Sequence, residues 1–359
     1  MSPAPDPIAA VSQRVDTFLR SQRDLTASMG PEAALVVEAG AASVAGGKRL
    51  RARFCLAGWH SVTGADPSPA AIAAAGALEL FHAAALVHDD VIDNSDTRRG
   101  KPAAHRALEG HHRDAGWHGD AESFGRAGAV LLGDLLVAWS DDLFEEGLKT
   151  ASAPVALRAR AEYATMRREV TIGQFLDIAE ESAFRTEPDD RHAARALRVA
   201  SLKSARYSVQ QPLLIGAALG GSDAAQHEAL AAFGHPLGMA YQLRDDVLGV
   251  FGDEAVTGKP SGDDLREGKR TVLVAYTREA LPLGARRVFD ELIGDPGLDA
   301  TQISSLQETI VQTGALERVE ALIADYAHEA DRALSGARLD NAAVGELRDL
   351  ARASTTRTA

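Results

Sequence analysis

Apolar residues recur at intervals of three and four along most of the chain. This spacing predicts α-helices, because residues three or four apart share one helix face. The predicted helices cover 8–28, 32–45, 50–63, 70–93, 126–148, 153–182, 190–220, 223–251 and 271–281. The period-2 alternation that is typical of strands is almost absent. The stretch 107–125 is expected to be a loop. The pattern predicts an all-α fold built as a single large helical bundle.

Composition narrows the class of protein. The chain has 359 residues and a formal net charge of −13, which disfavours nucleic acid as a partner. A single cysteine, Cys55, excludes a disulfide framework and favours a cytoplasmic location. No uncharged apolar run is long enough to span a membrane, and the first seven residues do not have the pattern of a signal peptide. We expect one domain over 8–350, flanked by disordered tails at 1–7 and 351–359.

A dense cluster of charge follows the predicted helix 70–93. Asp89, Asp90 and Asp93 lie within about one helical turn, and Arg98 and Arg99 come shortly after them. Carboxylates this close repel each other unless a cation neutralises them, and an arginine pair suits a polyanion. The simplest ligand for both is Mg²⁺ that carries a diphosphate. The alternative is a solvated acidic helix end, which fits poorly with the apolar helix that leads into it.

A second acidic pair, Asp245 and Asp246, ends another apolar helix. Two acidic helix ends in a bundle could face each other, with metal ions and ligand between them. The two segments together are more specific than either one. Helical spacing by itself does not establish that geometry.

Several basic residues complement the acidic ones. Gly46 and Gly47 precede Lys48 and Arg51 at the start of a predicted helix, a setting that favours anions. Further candidates in other segments are Lys203, which Ser204 follows, Lys259 and Lys269. Any one lysine is better explained as a solvated surface residue. The prediction of anion binding therefore depends on the whole set.

Two histidines in the predicted helix 70–93 suggest different chemistry. His82 comes seven residues before Asp89, so the two lie close to the same face of the predicted helix. Its imidazole could donate a hydrogen bond to a phosphate. His88, directly before Asp89, is also compatible with the helical HD-type metal phosphohydrolases. That alternative leaves Arg98, Arg99 and the second acidic pair unexplained.

In this combination and order, the motifs resemble the trans-polyprenyl diphosphate synthase family from about residue 30 to residue 340, particularly its actinobacterial geranylgeranyl diphosphate synthases. The matching elements are Asp89–Asp93 with Arg98–Gly100, then Gly47, Lys48 and Arg51, then Gly173, Gln174 and Asp177, then Lys203–Ser204 in place of Lys-Thr, and finally Gln242–Asp246. The resemblance implies a bundle around a central cavity, the isoprenoid synthase type, and a homodimer.

The resemblance also implies the activity. An allylic diphosphate (DMAPP, GPP or FPP) would be condensed in trans with isopentenyl diphosphate, with release of pyrophosphate. The implied catalytic residues are Asp89, Asp90, Asp93, Arg98, Lys203, Gln242 and Asp245. Three Mg²⁺ ions would bind to Asp89, Asp93 and Asp245, with Asp90 and Asp246 as further candidates. Arg98, Lys203 and Lys259 would hold the allylic diphosphate. Ser204 and Gln242 would stabilise the cation. Lys48, Arg51, His82 and Arg99 would bind isopentenyl diphosphate, and Lys269 would close over the site.

One position departs from the family pattern. Gly249 stands where the second motif usually has a third Asp. Asp253 is a full turn further and falls beyond the predicted helix end at Gly252, so it is a poor substitute. The loss should weaken the second metal shell rather than abolish it.

Product length can be argued from residues behind the first motif. Ala84 and Ala85, five and four residues before Asp89, are small and leave the upper pocket open, which argues against a C15 product. Phe81 lies roughly 12 Å below Asp89 along a helix. It is the candidate floor of the pocket, and it predicts a C20 product, geranylgeranyl diphosphate. Ordinary core or dimer packing is the alternative role for Phe81, and a shorter or longer product (C15, C25 or more) remains open.

Two other functions compete with this prediction. A class I terpene cyclase shares the bundle and an acidic motif, but it lacks a second diphosphate site and has a second motif of the Asn/Ser/Glu type. Lys48, Arg51, Arg99 and the Asp245–Asp246 pair argue against it. A non-catalytic subunit of a heteromeric synthase usually loses the first acidic motif, which is intact here.

Overall fold

A computed structural model describes residues 6–184, 186–253 and 261–355. The helices are α1 (Pro7–Thr26), α2 (Pro31–Val44), α3 (Leu50–Thr63), α4 (Pro69–Ile92), α5 (Ala104–Asp114), α6 (Ala121–Leu148), α7 (Ala153–Ala183), α8 (His192–Val199), α9 (Gln211–Leu219), α10 (Ala224–Phe251), α11 (Asp263–Glu267), α12 (Val272–Ala280), α13 (Leu283–Leu292), α14 (Ala300–Gln312), α15 (Ala315–Ala333) and α16 (Asn341–Thr355). Two 3₁₀ turns (Ala27–Met29 and Asp189–Arg191), a π-helix (Ala200–Gln210) and a hairpin of β1 (Thr97–Arg98) and β2 (Lys101–Pro102) complete the described elements. The all-α prediction is confirmed.

The chain forms two compact units. Unit 1 contains Met1–Arg158 and Ile215–Gly221, and unit 2 contains Ala159–Leu214 and Ser222–Ala359. The single domain predicted over 8–350 stays a prediction. Helix α16 extends to Thr355, past the predicted boundary at 350, and the residues 1–5 and 356–359 of the predicted tails lie outside the described part.

Helix α4 is the centre of unit 1. Ser68 caps its first turn by accepting a hydrogen bond from the Ala71 amide at 3.2 Å, and Pro69 begins it. The helix is long and apolar enough to cross a membrane, but 78% of its most apolar window is buried inside the protein, as in the core helix of a globular fold. It ends at Ile92, where the Asp93 amide donates to the Asp89 carbonyl at 2.8 Å.

A tight hairpin follows α4. Thr97 pairs with Pro102 and Arg98 with Lys101, so Arg99 and Gly100 form the two-residue turn. Both turn residues have positive φ, 54° and 71°, as a type I′ turn requires. Glycine adopts this conformation without strain, whereas Arg99 does not. Arg98 ends strand β1 and Arg99 begins the turn, so the two side chains leave the hairpin in different directions.

Unit 2 contains a helix with wider turns than an α-helix. The predicted helix 190–220 consists of α8, the π-helix and α9. The π-helix packs closely against two glycines: a Cβ on Gly173 of α7 would lie 2.4 Å from the Lys203 amide nitrogen, and one on Gly238 of α10 would lie 2.4 Å from the Ala205 carbonyl oxygen. Both glycines are therefore required for this packing. π-Helical turns often occur at functional sites.

The predicted loop over 107–125 is wrong for most of its length. Helix α5 reaches Asp114 and α6 begins at Ala121. The buried side of α5 has the helical spacing, but three of its four residues are polar, which hides it from a hydrophobic pattern. These residues are His105, Leu108, Glu109 and His112. The rings of His112, Trp117 and Phe124 form an aromatic cluster in this segment.

Candidate active site

The first acidic motif lies at the carboxyl end of α4. Asp89 is partly exposed, with 23% of its side-chain surface accessible, and Asp93 at the helix end is exposed. The helix dipole is negative at this end, so both the carboxylates and the backbone disfavour further negative charge there. A divalent cation would relieve this repulsion.

Asp90 has a different environment from its two neighbours. Its side chain is 4% exposed and accepts two hydrogen bonds from Arg98, the Nε bond at 2.9 Å. Burial raises the pKa of Asp90 in spite of these bonds. Arg98 also approaches Asp89 Oδ2, at 3.6 Å. These contacts indicate that Asp90 orients Arg98 beside Asp89.

Arg99 is directed towards a different segment of unit 1. Its Nη1 donates to the Ala45 carbonyl at 3.1 Å, and a Cβ on Gly47 would lie 3.0 Å from its Nη2. Gly47 has a φ of 85°, so glycine is needed there both for its conformation and for the close approach of Arg99. The structure thus brings the Gly46–Gly47 turn and Arg99 together.

His82 completes this basic group. Burial and the positive charges of Arg51 and Arg99, among others, hold the pKa of His82 well below its usual range. The neutral imidazole can then donate one hydrogen bond without adding positive charge. Of the four residues predicted to bind isopentenyl diphosphate, Arg51 and Arg99 both act electrostatically on His82, whereas Lys48 is exposed after the Gly46–Gly47 turn.

Two residues that support this group were not identified from the sequence. Glu79 of α4 is 6% exposed and accepts from the Ala52 amide at 3.1 Å, in the first turn of α3. Arg49, whose φ of 52° is left-handed, lies 3.4 Å from the other Glu79 oxygen. Glu79 therefore holds the start of α3 against α4. Its one sequence signal is a lone carboxylate inside an apolar, Ala-rich run.

His88 is directed away from the acidic residues. Its Nε2 lies 3.2 Å from the Val130 carbonyl and 3.4 Å from Asp134, both on α6. A Cβ on Gly133 would lie 2.1 Å from this nitrogen, so the ring packs on a glycine. This packing role argues against the phosphohydrolase alternative.

In unit 2, Lys203 is held on the π-helix. Its Nζ contacts Asp177 Oδ2 at 2.5 Å, and Gly173, one turn before Asp177, admits the Lys203 backbone. The wide turn thus places the predicted diphosphate ligand Lys203 beside the aspartate of the Gly-Gln-x-x-Asp element. Ser204 follows on the same π-helix and is half-buried.

The second acidic motif is more enclosed than the first. Gln242 donates to Asp246 at 2.7 Å, and Asp246 is 8% exposed. Burial and the nearby charge of Asp264 raise the pKa of Asp246 to about 7. Asp245 is half-buried. Gly249 faces Asp264, while Asp253 is exposed beyond the end of α10 at Phe251.

Lys269 is enclosed by carboxylates. Its Nζ contacts Asp264 and Glu267, each at 2.8 Å. Burial would lower its pKa, but the two carboxylates outweigh burial and raise the pKa well above the usual range. Lys259 and the part of the predicted closing loop over 254–260 lie outside the described residues.

The three predicted chain-length residues lie on α4. Phe81 is 6% exposed, Ala84 is fully buried and Ala85 is half-buried. Within the described residues, no cluster of three or more His, Cys, Asp or Glu side chains is arranged to hold a metal ion by itself. A cation here would need other oxygen ligands, such as those of a diphosphate and water.

The described residues form an all-α protein with acidic motifs at the ends of two long helices. Residues 34–310 match the family described as Polyprenyl synthetase. The chain is 32% identical over 295 residues to the geranylfarnesyl diphosphate synthase of Aeropyrum pernix, covering 81% of this chain and 84% of the relative. It is 31% identical over 286 residues to the geranylgeranyl diphosphate synthase of Methanosarcina mazei, covering 79% and 78%.

A solved structure agrees over nearly the whole chain. The geranylgeranyl pyrophosphate synthase of Corynebacterium glutamicum, complexed with isoprenyl diphosphate and magnesium, superposes with a TM-score of 0.91 at 36% identity and covers 98% of both chains. The chain belongs to the polyprenyl synthetase family. The family and the fold predicted from the sequence motifs are therefore confirmed.

Proposed function

We propose that this protein is a prenyltransferase that condenses isopentenyl diphosphate with allylic diphosphates in trans and makes geranylgeranyl diphosphate, releasing pyrophosphate. The observation that carries the proposal is the divergence of two adjacent arginines. Arg98 binds Asp90 beside Asp89, whereas Arg99 lies on the Gly46–Gly47 turn near Arg51 and His82. One hairpin thus supplies a cation to each of two anion sites in unit 1.

Two anion sites distinguish a condensation from a cyclisation. A condensing enzyme must hold one diphosphate that leaves and another that stays on the product. The leaving diphosphate belongs beside Asp89, Asp93 and Arg98, where cations neutralise the charge that develops as the bond breaks. Isopentenyl diphosphate belongs beside Arg51, His82 and Arg99, with Lys48 at the edge. A terpene cyclase needs the first of these sites alone.

The donor set of the first motif suits Mg²⁺. Asp89 and Asp93 offer carboxylate oxygens at the negative end of a helix, and Mg²⁺ prefers oxygen ligands completed by phosphate and water. When bound, Mg²⁺ stabilises negative charge on the leaving diphosphate. Asp89, Asp93 and Asp245 are the proposed ligands of three ions, and Asp246 is a further candidate. The bonds of Asp90 to Arg98 favour an orienting role for Asp90.

The remaining predicted site residues would neutralise the diphosphate, stabilise the allylic cation or exclude water. Lys203, and Lys259 as a prediction from the sequence alone, would neutralise diphosphate oxygens. The bond from Gln242 Nε2 to Asp246 fixes the amide, so its Oε1 is the acceptor end that could stabilise an allylic cation together with Ser204 Oγ. Lys269 would help to exclude water, which would otherwise capture the cation. The departing pyrophosphate can take the proton, so no protein base is required.

The proposed C20 product length depends on three residues of α4. Ala84 and Ala85 are small, and Phe81 is buried about two turns below Asp89, where its ring would limit the chain. A geranylfarnesyl diphosphate synthase and a geranylgeranyl diphosphate synthase are both among the relatives, so C25 is the nearest alternative.

We further propose a homodimer. Exposed apolar side chains occur on α6, where Val130 and Leu131 are 43% and 66% accessible, and on α7, where Ile172 and Phe175 are 48% and 66% accessible. Where exposed apolar side chains form a contiguous patch, that patch is typical of a surface that a partner covers. Light scattering after size exclusion tests this: a monomeric mass at micromolar concentration would contradict it. The cytoplasmic location stays a prediction of the sequence.

Product analysis tests the function. The purified protein is incubated with Mg²⁺, isopentenyl diphosphate and DMAPP, GPP or FPP in turn, and the dephosphorylated products are separated by chain length. We expect geranylgeraniol with release of pyrophosphate, and no product when EDTA replaces Mg²⁺. No product with any starter would refute the proposal.

A control without isopentenyl diphosphate separates the alternatives. A condensing enzyme leaves the allylic diphosphate unchanged under this condition. A terpene cyclase would consume it and release a hydrocarbon. A non-catalytic subunit would be inactive alone under every condition.

A further inference from the structure

Phe184, the first residue after the end of α7, lies at the centre of a group of cations in unit 2. It is 3% exposed. The guanidinium carbon of Arg270 lies 3.9 Å from the centroid of its ring, and that of Arg278 lies 4.1 Å from it. The face of an aromatic ring attracts cations, most strongly where water is excluded. One buried ring therefore holds two arginine side chains.

Arg278 and the ring of Phe184 form a fixed pair. Arg278 is 6% exposed and donates to both oxygens of Asp290, from Nε at 2.6 Å and from Nη2 at 2.9 Å. Its Nη1 donates to Asp189, in the 3₁₀ turn before α8, at 3.2 Å. A bidentate pair fixes the plane of a guanidinium as well as its position. The end of α7 is thus held against α12, the helix that carries Arg278.

Arg270 joins the connection between α11 and α12 to this fixed pair. Gly268 ends α11 with a left-handed φ of 78°, and Thr271 is the N-cap of α12. Lys269 and Arg270 are the two residues between these caps. Lys269 is directed towards the carboxylates of α11, whereas Arg270 lies over the ring of Phe184. Because the capped connection is so short, a contact that fixes Arg270 also limits the movement of Lys269.

An aromatic ring suits this position better than a carboxylate. Burial and the charge of Asp177 raise the pKa of Glu181 on α7, although Lys203 and Arg270 oppose that rise. Carboxylates on this part of α7 therefore already repel each other. A further carboxylate beside Arg270 would add negative charge near Lys203, a proposed ligand of the diphosphate. A ring holds the guanidinium without adding any charge.

We infer that Phe184 is a positioning residue for the proposed reaction: by holding Arg270, its ring fixes Lys269 at the diphosphate site. The inference rests on the proposed function, because it takes Lys269 as a group that faces the bound diphosphate. It gives the end of α7 a part in substrate binding that acts through two neighbouring residues. A ring that served packing alone would affect stability, and its effect on binding would not depend on Lys269.

A double-mutant cycle tests whether Phe184 acts through Lys269. Mg²⁺-dependent binding of inorganic pyrophosphate is measured by titration calorimetry on the full chain, with thermal unfolding in EDTA as the check of folding. Phe184→Leu removes the aromatic face and keeps an apolar side chain, and Arg270→Gln removes the cation. Each variant is measured alone and together with Lys269→Gln. Phe233→Leu, which changes a fully buried ring on α10, is the matched control.

We expect Phe184→Leu and Arg270→Gln each to weaken pyrophosphate binding by about 10-fold, within the range of a desolvated cation–π contact. Once Lys269→Gln has removed the group that is positioned, adding either variant should change the affinity by less than about twofold. Phe233→Leu should lower the melting temperature and leave the affinity within about twofold of the wild type.

Four results would overturn the inference: unchanged binding in Phe184→Leu, unchanged binding in Lys269→Gln, an equal loss in Phe233→Leu, or a loss from Phe184→Leu that is the same with and without Lys269. If Phe184→Leu does not fold, the cycle of Arg270→Gln with Lys269→Gln decides in the same way. Product formation by the wild type tests the proposed function separately, so an active wild type with an unaffected Phe184→Leu refutes this inference alone.

Discussion

The two acidic motifs have different electrostatic surroundings. In the first, Asp90 is paired with Arg98 from the hairpin that follows, and Asp89 and Asp93 remain accessible at a helix end. In the second, Asp246 has an amide donor in Gln242 and a carboxylate neighbour in Asp264. The charge partner of the first motif comes from the hairpin directly after it, whereas the second motif has a carboxylate neighbour on another helix, α11.

This difference shows that two helix ends in one chain can treat carboxylates in opposite ways. The first motif leaves Asp89 and Asp93 accessible, so a cation from solvent can reach them. The second motif encloses Asp246, whose pKa is raised to about 7, so this carboxyl can hold a proton when no cation is bound.

The largest effect is expected at the accessible carboxylates of the first motif. Asp89→Asn should reduce turnover by roughly 10³-fold or more, equivalent to about 4 kcal/mol of transition-state stabilisation, because it removes a proposed metal ligand. Steady-state kinetics measure the loss, and the melting temperature should be unchanged. Asp142→Asn, an exposed position on α6, is the control. Persistent activity in Asp89→Asn would show that the metal assignment is wrong.

Asp246, the buried carboxylate of the second motif, should make the free energy of unfolding depend on pH. Without metal, Asp246 has its pKa raised to about 7, so the folded protein holds a proton that the unfolded chain has already lost. Its contribution to stability is present below the unfolded pKa, near 4, and is lost as pH rises through 7. Asp246→Asn mimics the protonated form.

Urea unfolding in EDTA at several pH values measures this contribution. Relative to Asp246→Asn, the free energy of unfolding of the wild type should fall by about 3 kcal/mol between pH 5 and pH 8. Parallel pH profiles of the two proteins would mean that Asp246 titrates normally and that the motif is not enclosed.

Asp90 should behave differently from Asp89. Because its carboxylate holds Arg98, Asp90→Asn is expected to raise the KM for the allylic diphosphate by roughly 10- to 100-fold, while the Mg²⁺ concentration for half-maximal activity changes by less than about threefold. Arg98→Lys should give the same signature. A large rise in the Mg²⁺ requirement of Asp90→Asn would instead make Asp90 a metal ligand.

The smallest effect concerns product length. Phe81→Ala should add one isoprene unit to part of the product, because the ring no longer limits the pocket below the first motif. Chain-length analysis after dephosphorylation measures the shift, and Ala85→Phe should shorten the product instead. If Phe81→Ala leaves the product spectrum unchanged, Phe81 is ordinary packing.

Much of the fold and of the candidate site could be predicted from short-range patterns. Helix boundaries such as 50–63 and 223–251 agree with the structure to within a residue, because capping residues and apolar spacing act locally. Helix α5 was missed since its buried side is mostly polar. The pairing of Glu79 with Arg49 was missed because it joins two helices, and no periodicity records such a contact.

The sequence by itself determined the family, the all-α class and the charged residues of both motifs, because residue types at short spacings specify helices and ligand chemistry. Only the tertiary structure decided that Arg98 and Arg99 serve different sites, since a two-residue turn with positive φ sends them in different directions. It also decided that Asp264 faces Gly249. The two lie fifteen positions apart along the chain, and packing alone brings them into contact.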